Sequence, residues 1–264
     1  MNDYMNVTNE RMPREAADLD GRVALVTGAS GSIGAEVARR LAARGAAVVV
    51  HGRDAERLEA VASTIRADGG AVAVHVGDVR DEHHLDEVVA AAAREFGPVS
   101  IAVTLAGGDG APVASDALTA DRWREVVDTD LTSTFLTIHA VLPGMLALGD
   151  GRIVTVASSA GRRASRANAA YAAAKAGVVM LTQHLALEFA PRGIRVNCVA
   201  PSMVETDKLR SRMPRPQLEA IAAHVPLGRI GRPADVADAI LHLASDESSW
   251  TTGITLDLTG GMTL

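Results

Sequence analysis

Tyr171 and Lys175 stand four residues apart in the run Tyr171-Ala172-Ala173-Ala174-Lys175. On a helix that spacing places both side chains on one face, one above the other. An ammonium beside a phenol stabilises the phenolate. The pair is then a proton donor and acceptor suited to a carbonyl and its alcohol. The same spacing is also that of two solvated side chains on any surface helix, so the surrounding elements must decide its meaning.

A second group of chemically useful residues is Thr27-Gly28-Ala29-Ser30-Gly31-Ser32-Ile33-Gly34. It follows a short apolar run and leads straight into a helical pattern. Glycines permit a tight turn and let a pyrophosphate approach the backbone. Free amides at the start of the helix then bind the anion. The spacing differs from the common dinucleotide fingerprint Gly-x-Gly-x-x-Gly. The next apolar run ends in Val50-His51-Gly52-Arg53. An acid there would accept hydrogen bonds from a ribose 2′-hydroxyl, whereas an arginine pairs with a 2′-phosphate. The expectation is NADP(H) in preference to NAD(H), with NAD(H) still possible. The alternative is a solvated arginine at a helix start. Asp54 reads as the N-cap of the helix that follows.

These residues must be held by a larger framework. Short apolar runs at 23–26, 47–50, 71–76, 101–105, 153–156, 195–199 and 255–258 read as strands. Helical patterns at 33–43, 55–67, 85–95, 120–148, 170–190 and 233–244 separate most of them. Pro143-Gly144 is expected to kink or shorten the 120–148 helix. Apolar strands alternating with helices predict an α/β fold, a Rossmann-like doubly wound parallel sheet flanked by helices on both faces. Ligands on such sheets sit at the carboxyl ends of the strands, so the loops after each strand are the ones to watch.

The whole chain narrows the function class. Its 264 residues, 48% hydrophobic, suffice for one large domain over 18–264. Residues 1–17 are polar, lack an apolar signal segment and read as a loose tail. A formal charge of −6 without a long basic run argues against nucleic-acid binding. No apolar stretch is expected to reach membrane-spanning length. The sole cysteine, Cys198, lies in an apolar run and reads as a buried, inert thiol, which fits a cytoplasmic location. No metal ligands are assigned.

Together these features resemble the short-chain dehydrogenase/reductase family in its compact single-domain form, over about 19–261. The family pattern in the first loop is Thr-Gly, three residues, Gly-x-Gly; Ser32 stands where the middle glycine is usual. Asp78-Val79 match the pair that contacts adenine. Ala106-Gly107 match the end of an Asn-Asn-Ala-Gly motif whose asparagines are replaced by Thr104 and Leu105. In Val156-Ala157-Ser158-Ser159-Ala160-Gly161 the resemblance assigns the catalytic serine to Ser158, with Ser159 as the alternative. Pro201-Ser202 replaces the usual Pro-Gly, and the Val204 backbone and Thr206 hydroxyl match groups that hold the nicotinamide carboxamide. The cofactor set implied is Gly28, Ser30, Ser32, Ile33, Gly34, Arg53, Asp78, Val79, Ala106, Gly107, Tyr171, Lys175, Pro201, Val204 and Thr206.

The resemblance also implies roles. Tyr171 exchanges the proton, Ser158 orients the carbonyl, and Lys175 holds the ribose hydroxyls and favours the phenolate. The family's fourth catalytic residue is an asparagine, and Asp130 occupies that position in Val127-Asp128-Thr129-Asp130. An ionised aspartate offers only acceptors, and near Lys175 it would oppose the effect of that ammonium on Tyr171. A substrate lid is expected near 203–225. Arg162, Arg163 and Arg166 would attract an anionic substrate such as an acyl thioester on a phosphorylated carrier, unless they are simply solvated. The closest branch implied is the 3-oxoacyl-(acyl-carrier-protein) reductases. Enoyl reductases of this type place tyrosine and lysine further apart. A degenerate nucleotide sensor or scaffold is the alternative from another class, and a homo-oligomer, dimer or tetramer, is expected.

Overall fold

The computed structural model describes residues 18–262. The tail expected over 1–17 therefore lies outside the described residues. Seven strands are β1 (Val23–Thr27), β2 (Ala47–Gly52), β3 (Val72–Val76), β4 (Ile101–Thr104), β5 (Gly151–Val156), β6 (Ile194–Pro201) and β7 (Thr255–Leu258). They form one sheet in the order β3-β2-β1-β4-β5-β6-β7, and every pairing is parallel. Every residue of β1, β4 and β5 is buried. That is why these segments read as unbroken apolar runs rather than alternating ones.

Side chains of successive strand residues point to opposite faces, and each face has its own helices. On one face Val48 and Val50 pack with Val37 and Leu41 of α1 (Ser32–Ala43) and Leu58 and Ile65 of α2 (Ala55–Ala67). Ile240 of α9 (Pro233–Ala244) completes that layer. On the other face Val49 and Leu25 pack with Val88 of α3 (Glu82–Glu95). Ile138 and Met145 of α5 (Ser133–Leu148) and Leu185 of α6 (Ala169–Phe189) fill the rest. The strand order reverses beside β1, where the chain passes from β3 back to β4. An open α/β sheet forms its ligand crevice at such a switch point.

The 120–148 segment departs from expectation in two ways. It is α4 (Ala120–Val127), then a single π-helical turn at Asp128–Thr132, then α5. Such π turns widen a helix by one residue and re-aim its side chains. Pro143 does not end the helix, which runs on to Gly149, a left-handed C-cap with φ 65°. The composite helix Ala120–Leu148, 29 residues, is also long and apolar enough by length and composition to cross a membrane. The expectation that no stretch would reach that length is corrected. Its apolar residues are concentrated in α5, where Ile138, Val141 and Met145 pack beneath the sheet. The 203–225 segment holds two short helices, α7 (Asp207–Arg212) and α8 (Arg215–Ala222).

Candidate active site

The nucleotide side of the crevice is made mostly of backbone. Gly28, Gly31, Gly52, Gly77 and Gly107 line one cavity together with Ser30, Arg53, Asp78, Val79, Arg80 and Ala106. Gly28 has φ +70°, and a Cβ there would lie 2.8 Å from the Leu105 carbonyl carbon. The first loop therefore rests directly on the β4 loop. A Cβ on Gly34 would lie 2.4 Å from the Gly28 oxygen, so α1 starts hard against the same turn. No side chain caps α1, whereas Asp54 and Asp81 cap α2 and α3 by accepting from Arg57 N and His84 N. The amides at the start of α1 are thus available to an anion. A glycine-floored cavity with an uncapped helix start suits a dinucleotide pyrophosphate.

Several of the residues expected at the nucleotide line the cavity, and others are engaged in contacts of their own. Arg53 is exposed at the cavity, with no ion pair among the described residues. Asp78 is gripped by Arg80, whose Nε donates to Asp78 Oδ1 at 3.0 Å. Those hydrogen bonds hold the Asp78 carboxyl down at about 2. Arg80 was missed in the sequence, where nothing distinguished it from a surface arginine. Ser32 Oγ donates to Asp207 Oδ2 and accepts from Asp207 N, both at 3.1 Å. The serine in the usual glycine position thus ties the first loop to the start of α7. Ile33 packs against the core. Val79 and Pro201 are buried at the ends of the third and sixth strand segments. Val204 bridges to Gly231, and the Thr206 hydroxyl caps α7 by accepting from Leu209 N. That hydroxyl retains its proton as a donor.

Around Tyr171 and Lys175 the geometry is made by side chains. Lys175 and Asp130 are both buried, and Lys175 Nζ lies 3.1 Å from Asp130 Oδ1. Nζ also donates to Val156 O at 3.0 Å, and it lies 5.7 Å from the centre of the Tyr171 ring. Burial alone would lower the lysine pKa. The Asp130 carboxylate outweighs it, with Tyr171 and the Asp130 hydrogen bond adding, and the pKa is raised. An ammonium has three donors. Two are spent here, which leaves one.

Asp130 does more than face the lysine. Its Oδ1 accepts from Gly108 N at 2.7 Å, and a Cβ on Gly107 would lie 2.4 Å from the same oxygen. The π-helical turn carries Asp130 to this position, directly under the β4 loop. Ser158 follows β5, and its Oγ accepts from Ala160 N at 3.2 Å, starting a tight turn through Ser159–Gly161. Gly161 abuts the backbone of α6 at Lys175, where a Cβ would lie 2.5 Å from the Lys175 carbonyl carbon. The serine turn and the tyrosine–lysine helix are therefore in direct contact. Arg162, Arg163 and Arg166 are exposed, and Arg162 pairs with Asp257 at 3.2 Å.

Two further groups escaped the sequence reading. Asn168 caps α6, accepting from Tyr171 N at 2.9 Å. An asparagine three residues before Tyr171 and just ahead of an apolar helical run is an N-cap signal that could have been read. Asp109 is ringed by Arg122, Arg212 and Lys208. Partial burial would raise its pKa; those cations outweigh it and lower it. Cys198 is buried, and burial pushes its thiol up, as expected of an inert group.

Comparison with known proteins matches this geometry to one family. A family model described as enoyl-(acyl carrier protein) reductase matches residues 28–263. The chain is 38% identical over 249 residues to the 3-oxoacyl-(acyl-carrier-protein) reductase FabG of Escherichia coli (strain K12), covering 93% of this chain and 98% of that protein. It is 42% identical over 243 residues to the cis-4-hydroxycyclohexanecarboxylate dehydrogenase of Sinomonas cyclohexanicum, covering 92% and 96%. An actinorhodin polyketide ketoreductase solved with NADPH superposes with a TM-score of 0.88 at 36% identity, covering 94% of this chain and 99% of that one. The relatives are named as reductases and dehydrogenases of hydroxyl and carbonyl groups. The chain belongs to the short-chain dehydrogenase/reductase family and is an NAD(P)-dependent oxidoreductase of CH–OH and C=O groups.

Proposed function

We propose that the protein is an NADP(H)-dependent reductase of a carbonyl on a small substrate, and that a 3-oxoacyl thioester is the first substrate to test. The observation that carries the reading is the buried Lys175 ammonium, held by Asp130 and Val156 O and 5.7 Å from the Tyr171 ring. It lies where the carboxyl ends of β4 and β5 meet the nucleotide crevice.

In this reading Ser158, Tyr171 and Lys175 are the catalytic groups, and the cofactor residues are those predicted from the sequence. The nicotinamide supplies or accepts the hydride when bound. Ser158 Oγ donates to the substrate oxygen and stabilises the charge that develops there. Tyr171 gives its phenolic proton to that oxygen, and takes it back in the reverse direction. Lys175 keeps a positive charge beside the phenol and offers its remaining donor to the ribose. Asp130 fixes Lys175 and the β4 loop; it is a positioning residue rather than a proton carrier. The 203–225 segment covers the substrate.

Cofactor choice rests on Arg53, with Arg80 at the same cavity. A guanidinium pairs with a 2′-phosphate, and no acid at the end of β2 competes for a 2′-hydroxyl. The four-residue spacing of Tyr171 and Lys175 favours ketoreduction over enoyl reduction. The intact polar set and the enzyme names of the relatives give the sensor reading no support. Exposed Met180 and Leu187 on α6 support a homo-oligomer built on that helix.

The test is oxidation of NADPH, then of NADH, over 3-oxoacyl thioesters and cyclic ketones. Turnover with a clear preference for NADPH supports the reading. Binding of NADPH without turnover on any carbonyl would return the sensor.

A further inference from the structure

Asn168 does more than cap a helix. It is 2% exposed, and three of the four hydrogen-bonding positions of its side chain are used. Its Oδ1 accepts from Tyr171 N at 2.9 Å. Its Nδ2 donates to Asp109 O at 2.9 Å and to Ala111 O at 3.0 Å. Between those two carbonyls lies Gly110, which faces the Tyr171 ring. A Cβ on Gly110 would lie 2.8 Å from Tyr171 Cδ1 and 2.9 Å from Cε1. The asparagine thus pins a short bracket of backbone, 109–111, against the phenol.

The cap alone does not account for an amide at this position. Serine, threonine or aspartate caps a helix as well as asparagine does. Only an amide accepts one hydrogen bond and donates two in a fixed plane. Aspartate would set a carboxylate against two carbonyl oxygens, and a serine hydroxyl has a single proton for two acceptors. The bracket is also tied from its other side. Gly108 N donates to Asp130, and Lys208 Nζ donates to Gly108 O at 3.0 Å. One stretch of loop therefore touches Tyr171, the partner of Lys175 and α7.

We propose that Asn168 is a positioning residue for the reaction, holding the Tyr171 ring in register with Lys175 by clamping the 109–111 bracket against it. The proposal rests on Tyr171 being the proton donor. Displacing a reacting group by about an ångström costs up to ~100-fold in rate. Proton transfer from the phenol is sensitive to that placement, whereas cofactor binding at the glycine loop is not.

The experiment uses Asn168→Ser, which keeps the cap and loses the clamp. The expected result is a fall of roughly tenfold or more in kcat, with the KM for the cofactor unchanged. The kcat pH profile shifts, melting stays close to wild type, and amide exchange rises over 108–112. A kcat within about twofold of wild type would overturn the proposal. Gly110→Ala attacks the bracket from the ring side without touching the cap, and it serves if Asn168→Ser does not fold. A lowered kcat with normal cofactor binding is expected there too, and wild-type turnover in Gly110→Ala would equally overturn the proposal. Tyr171→Phe, run in parallel, separates the two layers. If it is inactive while Asn168→Ser is normal, only the clamp fails. If it turns over like wild type, the proton-donor reading fails with it.

Discussion

The two halves of the crevice are built from different materials. Beside β1–β3 the surface is glycine backbone and an uncapped helix start, with Arg53 and Arg80 at its edge. Beside β4–β6 it is a buried polar network joining Lys175, Asp130, Asn168 and the β4 loop. A backbone surface tolerates exchanges at its edge but not an added methyl at its floor. A side-chain network tolerates a change of charge where its hydrogen bonds survive, but not the loss of a donor. The comparison teaches that substitutions at the glycine floor act through shape, and those in the network around Lys175 act through hydrogen-bond count.

The sharpest way to break this contrast is Gly34→Ala. Its methyl would lie 2.4 Å from the Gly28 oxygen, so the turn must move. Overpacking of this kind costs ~1–3 kcal/mol. Calorimetry should show that loss, and a cofactor titration should show weakened binding; unchanged affinity would mean that the turn does not shape the site. Comparable in size is the effect of His51, fully buried on β2 with both ring nitrogens lacking a hydrogen-bond partner among the described residues. Burial, with His84 and His75 nearby, pushes its pKa from 6.5 down to about 4. Between those values the unfolded chain binds a proton that the folded chain refuses, so stability falls as pH drops through the window. The span corresponds to on the order of 3 kcal/mol, and His51→Leu should flatten the fall in a pH series of melting curves.

Arg53→Ala should leave folding intact and remove most of the preference for NADPH over NADH. A charged hydrogen-bonding pair is worth about 1.5–3 kcal/mol, so the ratio of dissociation constants should shrink by roughly ten- to a hundredfold. Equal affinities in the wild type would contradict it. The smallest effect is expected at Asp130→Asn. The amide oxygen can still accept from Gly108 N and Lys175, so turnover should hold or rise. The raised pKa of Lys175 means that the pair stabilises the fold through neutral pH and loses that contribution only as pH climbs past the usual lysine range. Asp130→Asn should therefore lower stability through neutral pH, with the difference from wild type closing above the usual lysine range, while sparing the rate. A collapse of kcat with the fold intact would make Asp130 more than a positioning group.

How much was legible follows the same division. The parallel sheet was readable because β1, β4 and β5 are buried on both faces and so leave unbroken apolar runs. The glycine loop was readable because close backbone approach excludes every other side chain at Gly28 and Gly34. The network around Lys175 was only half readable. Tyr171 and Lys175 share a helix face, which spacing reveals. The clamp from Asn168 to 109–111 joins residues far apart in the chain, and no local pattern records it. The π-helical turn that delivers Asp130 was also hidden, because α5 is apolar on most of its faces and a one-residue shift in phase leaves no mark in such a pattern. Helix α5 runs through Pro143, so tertiary packing overrode the local breaker.

The central claim is that Tyr171, placed by Lys175 and Asn168, passes the proton to the substrate oxygen. Single-turnover oxidation of NADPH by Tyr171→Phe against wild type, on a carbonyl that the wild type reduces, tests it most directly. The account predicts that Tyr171→Phe binds the cofactor normally and loses roughly 100-fold or more in the chemical step. A chemical step as fast as that of the wild type would contradict it.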